Sequence, residues 1–284
     1  MSEKTAVCKV CFRHCSLKEG ETGFCHARIC KNGEVISENY GKVTSLALDP
    51  IEKKPLAKFY PGSRILSIGS YGCNLSCKFC QNYGISYSGE KNPVKVPHKI
   101  ISPKDLCDKA VEAKIKGNIG VAFTYNEPLI GWEYIKDCAK LLKSKNLKVV
   151  IVTNGTAELW VLHELLPYTD AMNIDLKAFS EDFYQSTAGG NLNQTKEFIK
   201  EAAGKCHIEL TSLIIPGLND SDEEMREMSK WICKLPNGEN IPYHITRFFP
   251  RHKMSEKNPT EVSKILSLVK IAEESLNFVY KGNC

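Results

Sequence analysis

The residues with the clearest chemical meaning are three cysteines within residues 72–82, spaced as Cys73-x3-Cys77-x2-Cys80. Thiolates are the ligands that iron–sulfur clusters take, so this loop predicts a cluster site. A [4Fe–4S] cluster has four irons, and three cysteines leave one iron without a protein ligand. A small molecule can bind to an iron that has an open position. This open position distinguishes a catalytic cluster from one that only carries electrons.

Two alternatives to a cluster are a zinc site and a set of unrelated buried thiols. A structural zinc site usually has four protein ligands, whereas this loop offers three cysteines. The next cysteine along the chain, Cys107, falls in a predicted helix. The spacing therefore favours an iron–sulfur cluster with an open iron.

A second group of cysteines lies near the N-terminus, with a fifth one shortly after it: Cys8, Cys11, Cys15, Cys25 and Cys30. This segment has few large apolar residues, so a bound metal would hold it together. The first four cysteines predict a zinc site or a second iron–sulfur cluster, and free reduced thiols are the alternative. His14 and His26 are further candidate ligands.

Composition and charge are those of an ordinary globular chain. Of its 284 residues, 42% are hydrophobic and 25% are charged, which argues against disorder. The net charge of +5 does not predict nucleic-acid binding, because the lysines are mixed with apolar residues. The first residues show no apolar signal region, and no apolar run has the length of a membrane span. We therefore expect a cytoplasmic protein whose 13 cysteines bind metal rather than form disulfides, in an anaerobic setting.

From residue 63 onwards, apolar segments typical of strands alternate with segments of helical periodicity. The predicted strands span 64–69, 119–124, 148–153, 171–175, 208–215 and 243–248, with a further one near 276–280. Helices are predicted at 103–117, 130–145, 156–166, 180–187 and 193–204, with later ones opened by residues 221–224 and 258–261. This order predicts an α/β fold with a parallel sheet and right-handed crossovers. Residues 1–62 are predicted to form a separate Cys-rich segment with short strands and a proline-bounded connection at 49–56, and residues 63–284 the barrel.

Polar motifs follow most of the predicted strands at the point where each strand ends. The first strand ends in the cysteine loop. The second, third, fourth and sixth strands end in the motifs at 125–128, 153–155, 175–177 and 247–252. Because the carboxyl ends of barrel strands meet at one face, these motifs predict a single shared site.

The cysteine loop, with the aromatic Phe79 before its last cysteine, resembles the signature of the radical SAM superfamily. The order and spacing of the motifs are similar to those of the activating enzymes of glycyl-radical proteins, such as the pyruvate formate-lyase activating enzymes. The chain resembles the radical SAM member of the AmmeMemoRadiSam group more closely, over most of residues 8–280. The N-terminal cysteines and the stretches at 49–56, 80–82, 124–128 and 214–220 carry this resemblance. It implies a partial (β/α)6 TIM-like barrel.

The resemblance also implies cofactors and a reaction. In that superfamily the amino and carboxylate groups of S-adenosylmethionine (SAM) chelate the open iron, and reductive cleavage gives methionine and a 5′-deoxyadenosyl radical that abstracts hydrogen from a substrate. The implied cofactors are a [4Fe–4S] cluster and SAM. The implied partners are an electron donor such as ferredoxin or flavodoxin and a protein substrate, of the glycyl-radical type or another. Radical modification of a small molecule, an electron-transfer protein without SAM chemistry and a zinc-held binding module remain alternatives.

The resemblance assigns roles to individual positions. Cys73, Cys77 and Cys80 match the cluster ligands, Phe79 the residue beside the adenine, and Gln81 the position after the last ligand. Asn126 and Glu127 match the motif that receives the SAM amino group. The strand ends beside the SAM ribose and methionine are matched by Thr153, Asn154, Asp175 and Lys177. His252 matches a histidine near the substrate pocket. Some activases bind a monovalent cation through an aspartate where this chain has Val152, so no such cation site is expected.

Overall fold

The computed structural model describes residues 5–86 and 96–284, so residues 1–4, on which the expectation about a signal region partly rests, lie outside it. In chain order the strands are β1 (Thr5–Val7), β2 (Ser16–Lys18), β3 (Arg28–Lys31), β4 (Glu34–Ser37), β5 (Lys42–Val43), β6 (Ser45–Pro50), β7 (Arg64–Gly69), β8 (Lys99–Ile100), β9 (Asn118–Phe123), β10 (Lys148–Thr153), β11 (Ala171–Asp175), β12 (His207–Ile214), β13 (Tyr243–Arg247) and β14 (Val279–Gly282). The α-helices are α1 (Tyr83–Ser86), α2 (Pro103–Glu112), α3 (Trp132–Ser144), α4 (Leu159–Leu165), α5 (Glu181–Phe183), α6 (Leu192–Ala202), α7 (Asp222–Cys233) and α8 (Val262–Glu273).

One large sheet organises the chain, with the strand order β14-β13-β12-β11-β10-β9-β7-β6. Strands β7 and β9 to β14 run parallel, and β6 runs antiparallel to β7. Val149, Val150 and Ile151 in the middle of β10 are fully buried, as expected of a parallel strand covered on both faces. The fold is therefore α/β, with the mostly parallel sheet of a partial TIM-like barrel, and the predicted fold class is confirmed.

Strand β6 is the main difference from the prediction. Residues 49 and 50 were expected in a connection, but they continue β6 and pair with Ile65 and Arg64 of β7. Pro50 is tolerated because β6 lies at the edge of the sheet and the proline ends it. Before β6, the pairs β1–β2 and β3–β4 form two small antiparallel sheets. The division of the chain at residue 62 stays a prediction.

The helix ends follow their predicted caps only in part. Ser102 accepts a hydrogen bond from the N–H of Asp105 ahead of α2, as predicted, but α2 ends at Glu112 and a 3₁₀ turn follows it. Ser221 likewise caps α7, whereas the carboxylate of Glu224 accepts from the N–H of Phe179 instead of completing the capping box. Across the described ranges, none of the helices is both long and apolar enough for a bilayer crossing.

The end of the barrel opposite the cysteine loop is closed by the segment that follows β6. Ile51, Leu56 and Phe59 are buried there against apolar side chains of the sheet. The fully buried carboxylate of Glu209 on β12 accepts from the backbone N–H groups of Ala57 and Lys58, both at 2.8 Å. This buried charge therefore pins the closing segment to the sheet.

Two histidines complete the environment of Glu209. His207 Nε2 lies 2.9 Å and His244 Nε2 2.6 Å from its carboxylate oxygens. Burial alone would raise the pKa of Glu209, but the hydrogen bonds from His207, His244, Lys58 and Ala57 lower it to about 2. The carboxylate is therefore charged and satisfied throughout the neutral range.

Replacing Glu209 by glutamine is expected to lower the free energy of unfolding by about 2–4 kcal/mol, because buried donors lose a charged partner. Since the pKa of Glu209 is depressed from 4.5 to about 2, the wild type should lose this stabilisation as the pH falls between those values. Denaturant unfolding at pH 7 and pH 3 measures both effects. Glu201→Gln, which breaks a surface pair with His163, is the control and should change little. Equal losses in the two variants would contradict the role of Glu209.

Candidate active site

The cysteine loop directly follows β7, at the carboxyl edge of the parallel strands. Its backbone is held by the segment after α5, because Ser76 N–H donates to Ala188 O at 2.9 Å and Lys78 N–H to Thr187 O at 3.0 Å. The carbonyl of Lys78 accepts in turn from the N–H of Lys253 at 2.9 Å. Segments far along the chain therefore fix the shape of the loop.

Gly189 makes this close packing possible. Its φ of +69° is in the left-handed region, and a Cβ at this position would overlap the Oγ of Ser76. The sequence analysis did not identify this residue. Its only local signal is the Gly189-Gly190 pair after a helical stretch, and the pair does not reveal which loop it contacts.

Replacing Gly189 by alanine is expected to displace the cysteine loop and lower its iron content after anaerobic reconstitution. Gly217→Ala is a matched control, because Gly217 has a similar φ of +70° but open space around it. Both variants carry the backbone cost of about 1–2 kcal/mol for a left-handed alanine. Only Gly189→Ala should also lose iron, measured as iron per chain. Equal iron contents would contradict the role of Gly189.

The three cysteines of the loop, Cys73, Cys77 and Cys80, are each partly exposed when the whole residue is considered. Burial raises the pKa of Cys73 well above its usual value, raises that of Cys77 to about 11, and also raises that of Cys80. The charges of neighbouring cysteines add to these shifts. Metal coordination deprotonates a thiol outright, so bound iron would offset this cost. The donor set fits an iron–sulfur cluster.

Within residues 5–86 and 96–284, no three or more His, Cys, Asp or Glu side chains are arranged to hold one metal ion.

Asp175 and Lys177 bring one charge of each sign to the cysteines. Lys177 Nζ lies 2.8 Å from Asp175 Oδ2. Burial opposes the charge of Lys177, but Asp175 and Cys77 more than offset it and raise the pKa of the lysine. Lys177 in turn works to lower the pKa values of Cys77 and Cys80. The predicted strand-end pair is thus beside the cysteine loop and is charged.

Asn154 contacts the first cysteine directly. Its side-chain N–H₂ group is 3.8 Å from Cys73 Sγ and donates to Asn74 Oδ1 at 2.9 Å. The side chain of Asn74 donates to Thr156 Oγ1 at 2.9 Å. This buried amide network connects the end of β10 to the cysteine loop.

Glu127 is buried, and both oxygens of its carboxylate accept hydrogen bonds from groups of the same chain. It accepts from Thr153 Oγ1 at 2.7 Å, from the N–H of Asn154 at 2.8 Å and from the N–H of Leu129 at 3.0 Å. Burial raises the pKa of Glu127 to about 7. Glu127 thus joins the ends of β9 and β10, a structural task that the sequence does not reveal, and its contact with a SAM amino group stays a prediction.

Asn126 likewise holds the start of the cysteine loop. Its amide donates to the carbonyls of Tyr71 at 3.2 Å and Gly72 at 3.1 Å, and its Oδ1 accepts from the N–H of Ser70 at 3.0 Å. The asparagine that stands where the superfamily often has glycine therefore has a side-chain function of its own in this chain.

The remaining predicted residues lie around the loop. Phe79 is buried, with its ring centroid 6.0 Å from that of Phe183, whereas Gln81 is exposed. The His252 ring stacks on Tyr83 with centroids 4.8 Å apart. Since Lys253 is bonded to the loop backbone, the structure places His252 near the cysteines.

The four N-terminal cysteines are brought together. Cys8, Cys11 and Cys25 are buried and Cys15 is partly exposed. The N–H of Cys8 donates to Cys15 O at 2.9 Å. Burial and then the charges of Cys11, Cys8 and Cys15 raise the pKa of Cys25 to about 12. These cysteines therefore form one group, and metal binding by them stays a prediction.

Two further residues considered as metal ligands near the N-terminus, Cys30 and His14, contact other side chains. The thiol of Cys30 lies 4.0 Å from Glu19 Oε2, and His14 Nε2 lies 3.0 Å from Glu158 Oε1. Neither contact is with the four cysteines.

The chain is similar to known proteins over much of its length. The sequence profile of the radical SAM superfamily matches residues 67–232. An uncharacterized protein of Methanocaldococcus jannaschii is 37% identical over 279 residues, 97% of this chain and 80% of that protein. Pyruvate formate-lyase 1-activating enzyme of Escherichia coli K12 is 25% identical over 195 residues, 65% of this chain and 75% of the enzyme. Streptococcus suis SuiB shares the fold, with a TM-score of 0.57 and 15% identity over 76% of this chain and 48% of SuiB. The chain belongs to the radical SAM superfamily.

Proposed function

We propose that this chain is an enzyme that binds a [4Fe–4S] cluster through Cys73, Cys77 and Cys80, cleaves SAM reductively and uses the 5′-deoxyadenosyl radical to abstract hydrogen from a substrate. Cleavage of SAM at an iron–sulfur cluster is the general chemistry of the superfamily. The observation that carries the proposal is the position of three cysteines, each partly exposed as a residue, at the carboxyl edge of the sheet. Such a loop leaves one iron of a cubane open to a ligand.

The charged side chains beside the loop suit SAM. Its methionine part carries an ammonium and a carboxylate, and Asp175 and Lys177 supply one charge of each sign next to Cys77. We propose that Asn126, Thr153 and Asn154, at the ends of β9 and β10, complete this side of the pocket. Glu127 would contribute by fixing those strand ends through its buried hydrogen bonds.

The opposite wall of the proposed pocket would be formed by Phe79, Gln81 and His252. Phe79 would contact the adenine, for which a buried aromatic ring is suited. His252, stacked on Tyr83, would border the substrate. We also propose that the four N-terminal cysteines hold a metal centre, either zinc or a second cluster.

A protein substrate is the nearest analogy, since one relative is named as the activating enzyme of pyruvate formate-lyase. We propose that this chain acts on a protein, of the glycyl-radical class or another. We also propose that a ferredoxin or flavodoxin supplies the electron and that the reaction takes place in the cytoplasm.

The test is anaerobic reconstitution with iron and sulfide, followed by reduction in the presence of SAM. We expect 5′-deoxyadenosine and methionine in equal amounts, and a SAM-dependent change in the EPR spectrum of the reduced cluster. A loop that holds about four irons but yields no 5′-deoxyadenosine would refute the catalytic proposal. Crosslinking in an anaerobic lysate, with the Cys77→Ala variant as the control, would identify the protein substrate.

A further inference from the structure

A strained turn lies directly after β9, beside the cysteine loop. Tyr125 has a φ of +72°, in the left-handed region that residues other than glycine rarely adopt. The N–H of Asn126 donates to Thr124 O at 3.0 Å, which closes a three-residue γ-turn around Tyr125. Such a turn costs free energy, so contacts with the rest of the protein must hold Tyr125 in it.

Two charged residues hold the side chain of Tyr125. Its hydroxyl donates to Oδ2 of Asp49, at the end of β6, at 2.8 Å. Lys54, in the segment that closes the barrel, places its Nζ 2.9 Å from the same oxygen and 4.6 Å from the centroid of the tyrosine ring. The side chain of Lys54 is 3% exposed, so its charge depends on Asp49 as a partner. This buried ion pair therefore gives the phenol a fixed acceptor.

The ring of Tyr125 also requires the space that Gly69 leaves at the end of β7. A Cβ at position 69 would lie 2.8 Å from Cδ2 and 3.0 Å from Cβ of Tyr125, closer than carbon atoms pack. The ring therefore lies directly against the backbone of the strand that leads into the cysteine loop. Packing on one side and hydrogen bonding on the other fix the position of Tyr125.

The backbone of the same turn holds the far end of the cysteine loop. Tyr125 O accepts from the side-chain amide of Asn82, two residues after the last cysteine, at 2.7 Å. Asn82 O accepts in turn from the N–H of Ile85 at 3.0 Å. Ile85 O then accepts from the N–H of Gly72, the residue before the first cysteine, at 2.8 Å. Tyr125 therefore anchors the contacts that close the loop.

We propose that Tyr125 is a positioning residue for the cluster site, and that it acts on the cysteine loop through Asn82. Asp49 and Lys54 hold its side chain, so that the strained turn keeps its carbonyl directed at the loop. Asn126, the next residue, holds the other end of the loop. One turn thus fixes both ends of the segment that carries the three cysteines. The inference rests on the proposed function for the cluster that this segment binds.

Tyr125→Phe tests the support, because it removes only the hydroxyl that contacts Asp49. We expect the reconstituted cluster to lose iron to a chelator about 3–10-fold faster than in the wild type, the effect of one lost hydrogen bond. Tyr40→Phe is the matched control. Its hydroxyl also donates to an aspartate, Asp137 at 2.7 Å, and this variant should release iron at the wild-type rate. A wild-type rate in Tyr125→Phe overturns the proposal.

A double-mutant cycle shows whether Tyr125 acts through Asn82. Asn82→Ala removes the amide that donates to Tyr125 O, and it should speed iron release about 3–10-fold by itself. In the Asn82→Ala background, Tyr125→Phe should have no further effect, because the connection is already broken. If the two effects multiply, Tyr125 does not act through Asn82, and the positioning role is wrong.

The EPR spectrum of the reduced cluster, recorded without SAM, gives a readout that a loss of general stability would not move. Asn82 lies two residues after Cys80, so freeing it should change how this ligand meets the cluster. Tyr125→Phe and Asn82→Ala should therefore shift the spectrum in the same way, and Tyr40→Phe should leave it unchanged. Identical spectra in all these proteins overturn the proposal.

The outcomes separate this inference from the proposed function. Iron release and the EPR spectrum require the cluster but no cleavage of SAM, so both can support Tyr125 in a protein that yields no 5′-deoxyadenosine. If the loop binds no cluster, hydrogen exchange of the metal-free chain decides. The N–H groups of Gly72 and Ile85 should then exchange about 3–10-fold faster in Tyr125→Phe than in Tyr40→Phe. Equal exchange overturns the proposal, even if the wild type cleaves SAM.

Discussion

Replacing Cys77 by alanine is expected to abolish both cluster binding in the first loop and formation of 5′-deoxyadenosine. Cys77 is the middle of three predicted ligands, and two thiolates do not suffice to hold a cluster that three otherwise retain. Its thiol also lies next to the Asp175 and Lys177 pair, so its loss would leave Lys177 without one of its anionic neighbours. Iron per chain and the yield of 5′-deoxyadenosine are the measurements.

The matched control for this variant is Cys233→Ala. Cys233 is also partly exposed, but it lies at the end of α7. This variant should retain wild-type iron and product formation. If Cys77→Ala still forms 5′-deoxyadenosine at the wild-type rate, the assignment of the cluster to this loop is wrong.

Replacing Glu127 by alanine is expected to leave the cluster in place but to weaken SAM binding by about 10–100-fold, the effect of losing a hydrogen bond to a charged group. The structure adds a second expected effect. Three buried donors lose their acceptor, so the free energy of unfolding should fall by about 3 kcal/mol. Calorimetric SAM titration and denaturant unfolding measure the two effects.

Glu127→Gln separates charge from hydrogen bonding. Burial raises the pKa of Glu127 from 4.5 to about 7, so the wild type loses the stability linked to its proton as the pH rises through that range. The neutral glutamine does not, and its stability relative to the wild type should therefore improve between pH 4.5 and pH 8. Glu164→Ala, at a surface pair with Lys136, is the control and should change neither property. Unchanged SAM affinity in Glu127→Ala would refute its contribution to the pocket.

The predictions from sequence agree best with the structure where they depend on residues that are neighbours along the chain. Strands β7, β10 and β11 have the predicted bounds, because each is a short apolar run ended by polar or glycine-containing motifs. The predicted helix ends agree less closely with the structure. Glu224 of the predicted capping box bonds to Phe179 instead, a residue that the sequence gives no reason to expect nearby.

The sequence by itself determined the cysteine spacing, the β/α order and the strand ends at which the polar motifs meet, since each depends on residues that are neighbours along the chain. Only the tertiary structure decided what surrounds the cysteines. Gly189 against Ser76, Glu127 between two strand ends and Asn154 beside Cys73 are contacts of residues far apart in sequence. Periodicity and spacing carry no information about such pairs, because the pairs are set by how the elements pack.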